Sequence, residues 1–195
     1  MDHWLQSFDN HTPIDVLIAN AGVMEGRALN GQIEPSTASY ALMETNVLGV
    51  WNSVQPVLPR MISRGSGQIG IVSSLAAFVP LPDSPSYCAS KSAVLSYGLA
   101  LRSLLRPCGI GVSVICPGYV TTPMMHQESG SKPFKMPPEK AADLIVRGLA
   151  RNRPVIAFPF LFALLSRIGG FLPDRVRQWT IDPFRFTVSQ RTDFD

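Results

Sequence analysis

The sequence predicts a three-layer α/β domain built on a parallel β-sheet. Three short and nearly continuous apolar runs, each bounded by glycine, proline or polar residues, are typical of strands buried on both faces. Between them lie two long stretches in which apolar residues recur every three or four positions, and this spacing indicates helices. Because strand and helix alternate, right-handed crossovers would place helices on both faces of the sheet.

The individual elements follow from these patterns. The predicted strands are residues 15–19 (DVLIA), 69–73 (IGIVS) and 111–116 (GVSVIC). The predicted helices are residues 39–64 and 86–106. Each helix is long enough to cross from the end of one strand to the start of the next.

Beyond the third strand, the sequence predicts a loop, a helix and a further strand. Residues 121–137 hold a Ser-Gly-Ser sequence and prolines, which favour a loop beside the strand ends. A helix should begin after Pro137, because proline is tolerated in a first turn and Glu139 would lie near the positive end of the helix dipole. Residues 155–158 are then expected to form the strand.

Composition indicates one folded domain over residues 1–195 in a reducing compartment. Hydrophobic residues make up 46% and charged residues 16%, which excludes a disordered chain. The three cysteines are an odd number without metal-ligand spacing, and the three histidines lie far apart, so we expect free thiols and no metal site. The first residues do not resemble a signal peptide, and a cytoplasmic location is predicted.

The tail, residues 151–195, is apolar and basic. From residue 147 onward the chain carries eight Arg against four Asp, whereas residues 1–146 carry nine Lys/Arg against ten Asp/Glu. The run VIAFPFLFALL is interrupted by Pro159 and is too short to span a bilayer. Two hypotheses remain open: a peripheral segment on an anionic membrane, or a substrate lid or subunit contact. Nucleic-acid binding is not predicted, since no recognition motif accompanies the arginines.

Tyr87 and Lys91 form a candidate proton-transfer pair. Positions i and i+4 share one face of a helix, so both side chains can point into a common cleft. A protonated lysine close to a phenol favours the phenolate and is expected to lower the tyrosine pKa from about 10 toward neutrality. The alternative is a solvated pair on a surface helix.

Polar and glycine-containing turns follow all three predicted strands. Ser74 ends the run GQIGIVSS, thirteen residues before Tyr87, while IANAG and CPGYVTTP follow the other two strands. Since the carboxyl ends of parallel strands meet at one edge, where open α/β sheets bind ligands, these turns are expected to line one site.

This ordered set resembles the short-chain dehydrogenase/reductase family over about residues 12–125. The motifs that carry the resemblance are NAG, N-x-x-G, S-S, Y-x-x-x-K and P-G-x-V-x-T. The resemblance implies a Rossmann-like fold and an NAD(P)-dependent oxidoreductase that interconverts a carbonyl and an alcohol. NAD and NADP cannot be distinguished from these motifs. The apolar tail further suggests a lipophilic small-molecule substrate.

The resemblance also implies roles for individual residues. Ser74 would hold the substrate oxygen, Tyr87 would act as general acid or base, and Lys91 would bind ribose hydroxyls and acidify Tyr87. Asn46 would complete a proton relay at a helix kink. The cofactor would further contact Asn20, Ala21, Gly22, Pro117, Gly118, Val120 and Thr122. The helices bearing Asn46 and Tyr87 resemble the family's subunit contact, so a homo-oligomer is expected.

Two assignments keep alternatives. Ser73 is the other candidate for the substrate hydroxyl, although the thirteen-residue spacing favours Ser74. Asn46 has the alternative role of satisfying helix backbone groups.

The sequence lacks the glycine-rich turn with which the family's fold begins. By the matched positions, the first three strands, on the order of eighty residues, are absent. The strand at residues 15–19 would then become an exposed apolar edge. Three explanations are open: a piece of a longer enzyme, a sheet completed by another chain, or an inactive fragment that serves as a scaffold or interaction protein.

Overall fold

The computed structural model describes residues 2–27, 32–126, 128–182 and 185–188. Within these residues the chain forms a parallel sheet in the order β1–β2–β3–β4. The strands are β1 (Val16–Ala19), β2 (Gly67–Val72), β3 (Ile110–Pro117) and β4 (Val155–Phe158). The register aligns Ile18 with Gly70 and Gly70 with Ser113, so the carboxyl ends of the strands lie at one edge. The predicted α/β fold is confirmed.

Helices connect and cover the strands. They are α1 (Asp2–His11), α2 (Ser36–Met43), α3 (Gly49–Val54), α4 (Leu58–Arg64), α5 (Pro85–Leu105), α6 (Pro123–His126), α7 (Pro138–Ala150), α8 (Phe160–Phe171) and α9 (Asp174–Ile181). In the described part of the chain, no helix is both long and apolar enough to cross a bilayer.

The alternation of side chains along β3 separates two helical layers. Val112 and Val114 point toward one layer, where they pack in clusters with residues of α5. Ile115 points the other way and packs with Ala141 and Leu149 of α7. The buried positions on both faces explain why the strand reads as a continuous apolar run.

Gly98 allows α5 to lie close against β3. A Cβ atom at this position would stand 2.5 Å from Cγ2 of Val114, which is closer than real contacts allow. The close approach fixes the height of α5 above the sheet, and the first turns of α5 therefore lie beside the strand ends.

The long helix predicted at residues 39–64 is a segmented helical run that begins three residues earlier, at Ser36. A π-helical turn, Glu44–Leu48, and a 3-10 turn, Gln55–Val57, interrupt its α-helical pattern. Pro56 has no backbone N–H to donate, which accounts for the 3-10 turn. The helices α1, α6, α8 and α9 were not individually predicted, and α6 lies within the segment predicted as a loop, residues 121–137. The last residues of the predicted tail, 189–195, lie outside the described residues.

Strand β1 forms an edge of the described sheet. Val16 and Ile18 are 50% and 47% exposed, so the predicted apolar edge is confirmed. A groove of about 240 Å³ runs along this edge. Its lining comprises Trp4, Leu5, Leu17, Ile18, Ala19, Asn20, Ala21, Gly49, Val50 and Ser53.

Candidate active site

Three strand ends and the start of one helix converge on the candidate site. The segments that follow β1, β2 and β3 lie at the carboxyl edge of the sheet. Tyr87 and Lys91 lie one turn apart in α5, which begins with Pro85 at a position where proline is well tolerated. The structure therefore brings the predicted helix pair to the predicted strand ends.

The hydroxyl of Ser74, not that of Ser73, reaches Tyr87. The side chain of Ser74 lies close enough to the phenol of Tyr87 to act on it and lower its pKa. Ser74 has an extended backbone, and its Oγ also accepts a hydrogen bond from the backbone N–H of Ala76 at 3.1 Å. The buried Ser73 instead donates its hydroxyl proton to the backbone carbonyl of Lys91 at 2.7 Å. The geometry thus distinguishes the two candidates.

Lys91 lies beneath the Tyr87 ring. Its Nζ is 5.6 Å from the ring centroid and donates a hydrogen bond to the backbone carbonyl of Val72 at 3.2 Å. The side chain of Lys91 is buried, and burial lowers the pKa of its ammonium to about 8. The ammonium therefore faces the ring and the strand end in this structure.

The expectation that Lys91 brings the Tyr87 pKa toward neutrality is wrong for this structure. Tyr87 is only partly exposed, and burial among apolar side chains raises its pKa above the ordinary value, while the neighbouring Ser74 offsets this only in part. Negative charge on Glu128 would raise the pKa of Tyr87 further. Tyr87 is accordingly a protonated phenol at neutral pH.

Asn46 ties the loop after β1 to the helices. Its Oδ1 accepts from the backbone N–H of Val23 at 2.8 Å, and its Nδ2 donates to the carbonyl of Val23 at 2.9 Å and to Oγ of Ser90 at 3.0 Å. Ser90 in turn donates to the backbone carbonyl of Tyr87 at 2.8 Å. Asn46 is fully buried within the π-helical turn. This arrangement supports a positioning role, and the proposed proton relay stays a prediction.

The predicted cofactor residues after β1 divide into two groups. Asn20 and Ala21 are exposed and line the groove beside β1. Gly22 lies next to the candidate site, where a Cβ atom would stand 3.1 Å from Nζ of Lys91 and 3.3 Å from Oδ1 of Asn46. A larger residue at this position would therefore disturb both side chains.

The predicted cofactor residues after β3 lie against β4 and the following loop. Pro117 ends β3, and the N–H of Gly118 donates to the carbonyl of Phe158 at 2.8 Å. Val120 pairs with Met136 and packs beside the α7 cluster. The carbonyl of Thr122 accepts from Met125 at 3.0 Å. These bonds hold the segment at the mouth of the cleft.

A short segment near the carboxyl terminus, residues 185–188, covers part of the cleft, and we call it the strap. Arg185 donates to both oxygens of the buried Asp83, at 2.6 and 2.7 Å, and the N–H of Phe186 donates to Asp83 at 3.1 Å. Phe186 and Val188 pack with Met24 in a cluster that Tyr87 contacts. Because about a hundred residues separate Asp83 from the strap, no local sequence pattern indicates this contact.

Glu128 is a second site residue that the sequence did not reveal. Its backbone pairs with Val188 of the strap, and its charge acts on both Tyr87 and Tyr119. Burial raises the pKa of Glu128 to about 7, although the positive charge of Lys132 partly opposes this. The loop predicted at residues 121–137 therefore brings an ionisable group to the cleft.

Replacing Asp83 with asparagine is expected to lower the free energy of unfolding by about 2 kcal/mol, because two hydrogen bonds to a charged carboxylate are weakened. Burial would raise the pKa of Asp83, but the bonds and charge of Arg185, with Phe186 and Arg27, hold it below its ordinary value. The wild-type advantage should therefore be present near neutral pH and disappear as the pH falls through the lowered pKa. Urea unfolding at several pH values measures this difference in the free energy of unfolding between the wild type and the variant.

The matched control for that substitution is Asp143→Asn. Asp143 forms an exposed ion pair with Arg147 at 3.6 Å, and such pairs contribute little. Equal losses of stability in the two variants would show that the strap contact is no stronger than a surface pair.

Replacing Glu128 with glutamine is expected to flatten the pH dependence of stability. Between the ordinary glutamate value of 4.5 and about 7, the unfolded chain releases its proton before the folded chain does. Wild-type stability should therefore fall as the pH rises through this window, and the variant should lack that fall. Unfolding measured at about pH 4 and about pH 8 tests this. Glu139→Gln, at an exposed position in α7, should keep the wild-type slope.

The comparison with known proteins supports the predicted family. The sequence profile of the short chain dehydrogenases matches residues 3–132. An uncharacterized oxidoreductase from Myxococcus xanthus is 33% identical over 161 residues, covering 83% of this chain and 63% of that protein. Ketoacyl reductase HetN from a Nostoc species is 30% identical over 193 residues, covering 89% of this chain and 64% of that protein.

A solved structure supports the same conclusion. A short chain dehydrogenase from Burkholderia cenocepacia, in complex with NADP, superimposes with a TM-score of 0.76 at 26% identity, over 94% of this chain and 76% of that one. The chain belongs to the short-chain dehydrogenase/reductase family. Its relatives in this family include oxidoreductases. It spans less than two thirds of the length of the Myxococcus and Nostoc proteins, at 63% and 64%.

Proposed function

We propose that this protein is an NAD(P)-dependent oxidoreductase that interconverts a carbonyl and an alcohol on a lipophilic small molecule. The observation that carries the proposal is the meeting of three side chains at the end of β2: Ser74 acts on the phenol of Tyr87, and the buried Lys91 lies 5.6 Å from the centroid of the tyrosine ring. Two hydroxyl groups at a strand end can hold one substrate oxygen and exchange a proton with it.

The residues near Lys91 fit the nicotinamide side of a dinucleotide. Gly22 leaves open the space beside Lys91 that a Cβ atom would fill, and Asn20 and Ala21 are exposed at the adjacent strand end. Lys91 with the loop at Asn20–Gly22 would hold the ribose, and the segment from Pro117 to Thr122 would hold the carboxamide. When bound, the nicotinamide supplies or accepts the hydride. The choice between NAD and NADP stays open.

The protonated phenol of Tyr87 supports a role as general acid, while its raised pKa makes it a weaker acid than an ordinary phenol. A phenol that keeps its proton at neutral pH can donate it to a carbonyl oxygen as that oxygen becomes negative. Ser74 would donate a hydrogen bond to the same oxygen and hold it within reach of Tyr87. In the reverse direction, Tyr87 would first release its proton, and the phenolate would then take the proton from an alcohol. Asn46 would position the loop after β1 through its bonds to Val23.

The walls of the cleft favour an apolar substrate. Met24, Phe186 and Val188 form a cluster in contact with Tyr87, and Leu81 and Met124 pack against it. On another side, Phe162 of α8 lies 6.3 Å from Tyr119 and 6.0 Å from Phe134 between ring centroids. Aromatic and methionine side chains offer much apolar area and few hydrogen bonds, which suits a lipophilic ketone or alcohol.

We further propose that the protein acts as a homo-oligomer in the cytoplasm. The helices that bear Asn46 and Tyr87 expose apolar side chains at Tyr40, Leu48, Trp51, Leu99 and Leu104, and burial of these residues against a second copy supports the subunit contact. Cys88, Cys108 and Cys116 are unpaired, which is typical of a reducing compartment.

A direct assay tests the function. The full native chain is incubated with NADH or NADPH and a series of aliphatic and aromatic ketones of increasing size, and nicotinamide oxidation is followed by absorbance. We expect turnover with one of the two coenzymes and a KM that falls as the ketone becomes more apolar. Tight coenzyme binding without turnover of any carbonyl compound would contradict the proposed reaction.

A second candidate is a scaffold or interaction protein without turnover. The exposed edge of β1, with the groove beside it, favours this alternative, because unpaired strand edges readily bind other chains. Titration of the full native chain with NADH and NADPH, observed through tryptophan fluorescence, separates the two candidates. Coenzyme binding supports the enzyme, and its absence supports the scaffold.

A further inference from the structure

Helix α8 exposes its apolar face and buries its small residues. Six large side chains are between 44% and 91% exposed, and we call them the α8 ridge: Phe160, Leu161, Leu164, Leu165, Ile168 and Phe171. At 100° per residue these positions fall within an arc of about 140°. Ala163 and Ser166, on the opposite face, are buried against the rest of the protein. This is the reverse of the pattern expected for a helix whose apolar side covers a core.

The ridge adjoins positive charge. Arg167 of α8 is exposed, with its guanidinium 4.7 Å from the centroid of the Phe78 ring, and Arg175 is exposed at the start of α9. Asp174, the acidic residue of these two helices, is paired with Arg177 at 2.5 Å. In the part of the chain that the structure describes, neither Arg167 nor Arg175 forms an ion pair with an acid. Helix α9 also exposes Trp179 and Val176, at 77% and 45%.

The positive charge beside the ridge favours an anionic membrane over a second copy of the chain, which would bring like charges together. The six ridge side chains, which are 44–91% exposed, present on the order of 600 Å² of accessible surface. Stable protein interfaces bury about 800 Å² on each partner, so area alone does not exclude a second copy. A lipid surface can surround the ridge and contact its flanking arginines together.

We propose that the α8 ridge docks the protein on an anionic membrane surface, with the apolar side chains inserted among the lipids and Arg167 and Arg175 at the headgroups. Helices of this kind, with a Phe/Leu/Trp face and flanking arginines, lie in the interface without crossing it. The ridge lies in the interfacial plane, while the inner face of α8 stays packed on the protein.

The same helix forms a wall of the candidate active site. Phe162 lies on the inner side of α8 and contacts Tyr119 and Phe134, while Ala163 packs beside Leu75. A docked α8 would therefore separate the cleft from the lipids by about one helix diameter, roughly 10 Å. This step rests on the proposed function. The position of α8 implies that the substrate is a ketone or alcohol dissolved in the membrane.

Vesicle flotation of the full native chain tests the docking. We expect the protein to float with vesicles of phosphatidylcholine and phosphatidylserine, and to float less as salt is raised. Leu161→Glu/Leu165→Glu should reduce the bound fraction roughly tenfold or more, since both charges would enter the lipid. Arg175→Gln should weaken binding to the anionic vesicles and leave binding to pure phosphatidylcholine unchanged.

The matched control is Val146→Glu. Val146 is an exposed apolar residue of α7, on the opposite face of the sheet, and its replacement should leave flotation unchanged. Thermal unfolding confirms that each variant is folded, as expected for exposed positions. Failure of the wild-type chain to float with any vesicle, or equal flotation of the ridge variant, would overturn the proposal.

Sedimentation velocity tests the other occupant. A dimer that the ridge variant dissociates and Val146→Glu does not would show that a second copy covers the ridge, and it would overturn membrane docking. Flotation without carbonyl turnover would leave the docking intact while contradicting the proposed enzymatic function.

Discussion

Tyr87→Phe is expected to lower kcat/KM for carbonyl reduction by roughly 10²–10⁴-fold, because the general acid is lost. The phenylalanine ring keeps the contacts with Met24, Phe186 and Val188 and with the ammonium of Lys91. The Kd for the nicotinamide coenzyme should therefore change little. Steady-state kinetics with the full native chain, together with coenzyme titration, measure both quantities.

Tyr119→Phe is the matched control for that substitution. Tyr119 is a half-buried phenol near Glu128, its pKa is raised to about 12 by burial and by the charge of Glu128, and its ring stacks on Phe162. It has no assigned proton-transfer role, and we expect its variant to keep kcat within about threefold of the wild type. A larger loss with Tyr119→Phe than with Tyr87→Phe would reverse the assignment of the proton donor.

Lys91→Met is expected to raise stability and to lower activity. Lys91 is 4% exposed, and burial of its charge lowers its pKa to about 8, so below this value the folded chain carries a poorly solvated ammonium. Replacing it with methionine should increase the free energy of unfolding by about 2 kcal/mol. Carbonyl turnover should fall by roughly 10²-fold or more, because coenzyme positioning is lost.

The size of the stability effect depends on pH. The pKa of Lys91 in the folded chain, about 8, lies below its ordinary value of 10.5. The loss of stability caused by its buried charge is therefore complete below about pH 8 and disappears as the pH rises from 8 toward 10.5. The gain from Lys91→Met should shrink over the same window. Lys140→Met, at an exposed position in α7, should change neither stability nor turnover. A Lys91→Met protein that is less stable and fully active would contradict both roles.

The strands and the main helices could be predicted because their signals are local. Residues 155–158 were predicted with the bounds of β4, and the other strands were predicted within two residues at either end, since buried strands read as short apolar runs. The approach of Ser74 to Tyr87 was also predictable. It depends only on the rule that parallel strands end at the same edge, next to the start of the crossover helix.

The remaining features depend on contacts that are distant in sequence. The strap reaches the site because Arg185 pairs with Asp83, and Glu128 reaches it through Val188. The direction of the Tyr87 pKa was also missed. The i, i+4 spacing gives the proximity of Lys91, but it does not give the apolar enclosure that raises the pKa or the orientation of the ammonium toward Val72.

The proposed joint action of Ser74 and Tyr87 on one substrate oxygen is tested most directly by a double-mutant cycle. Ser74→Ala, Tyr87→Phe and the double variant are compared by kcat/KM for carbonyl reduction in the full native chain. If both hydroxyls serve the same oxygen, the double variant should be about as slow as Tyr87→Phe alone. Losses that multiply in the double variant would show that the two residues act independently, which contradicts the claim.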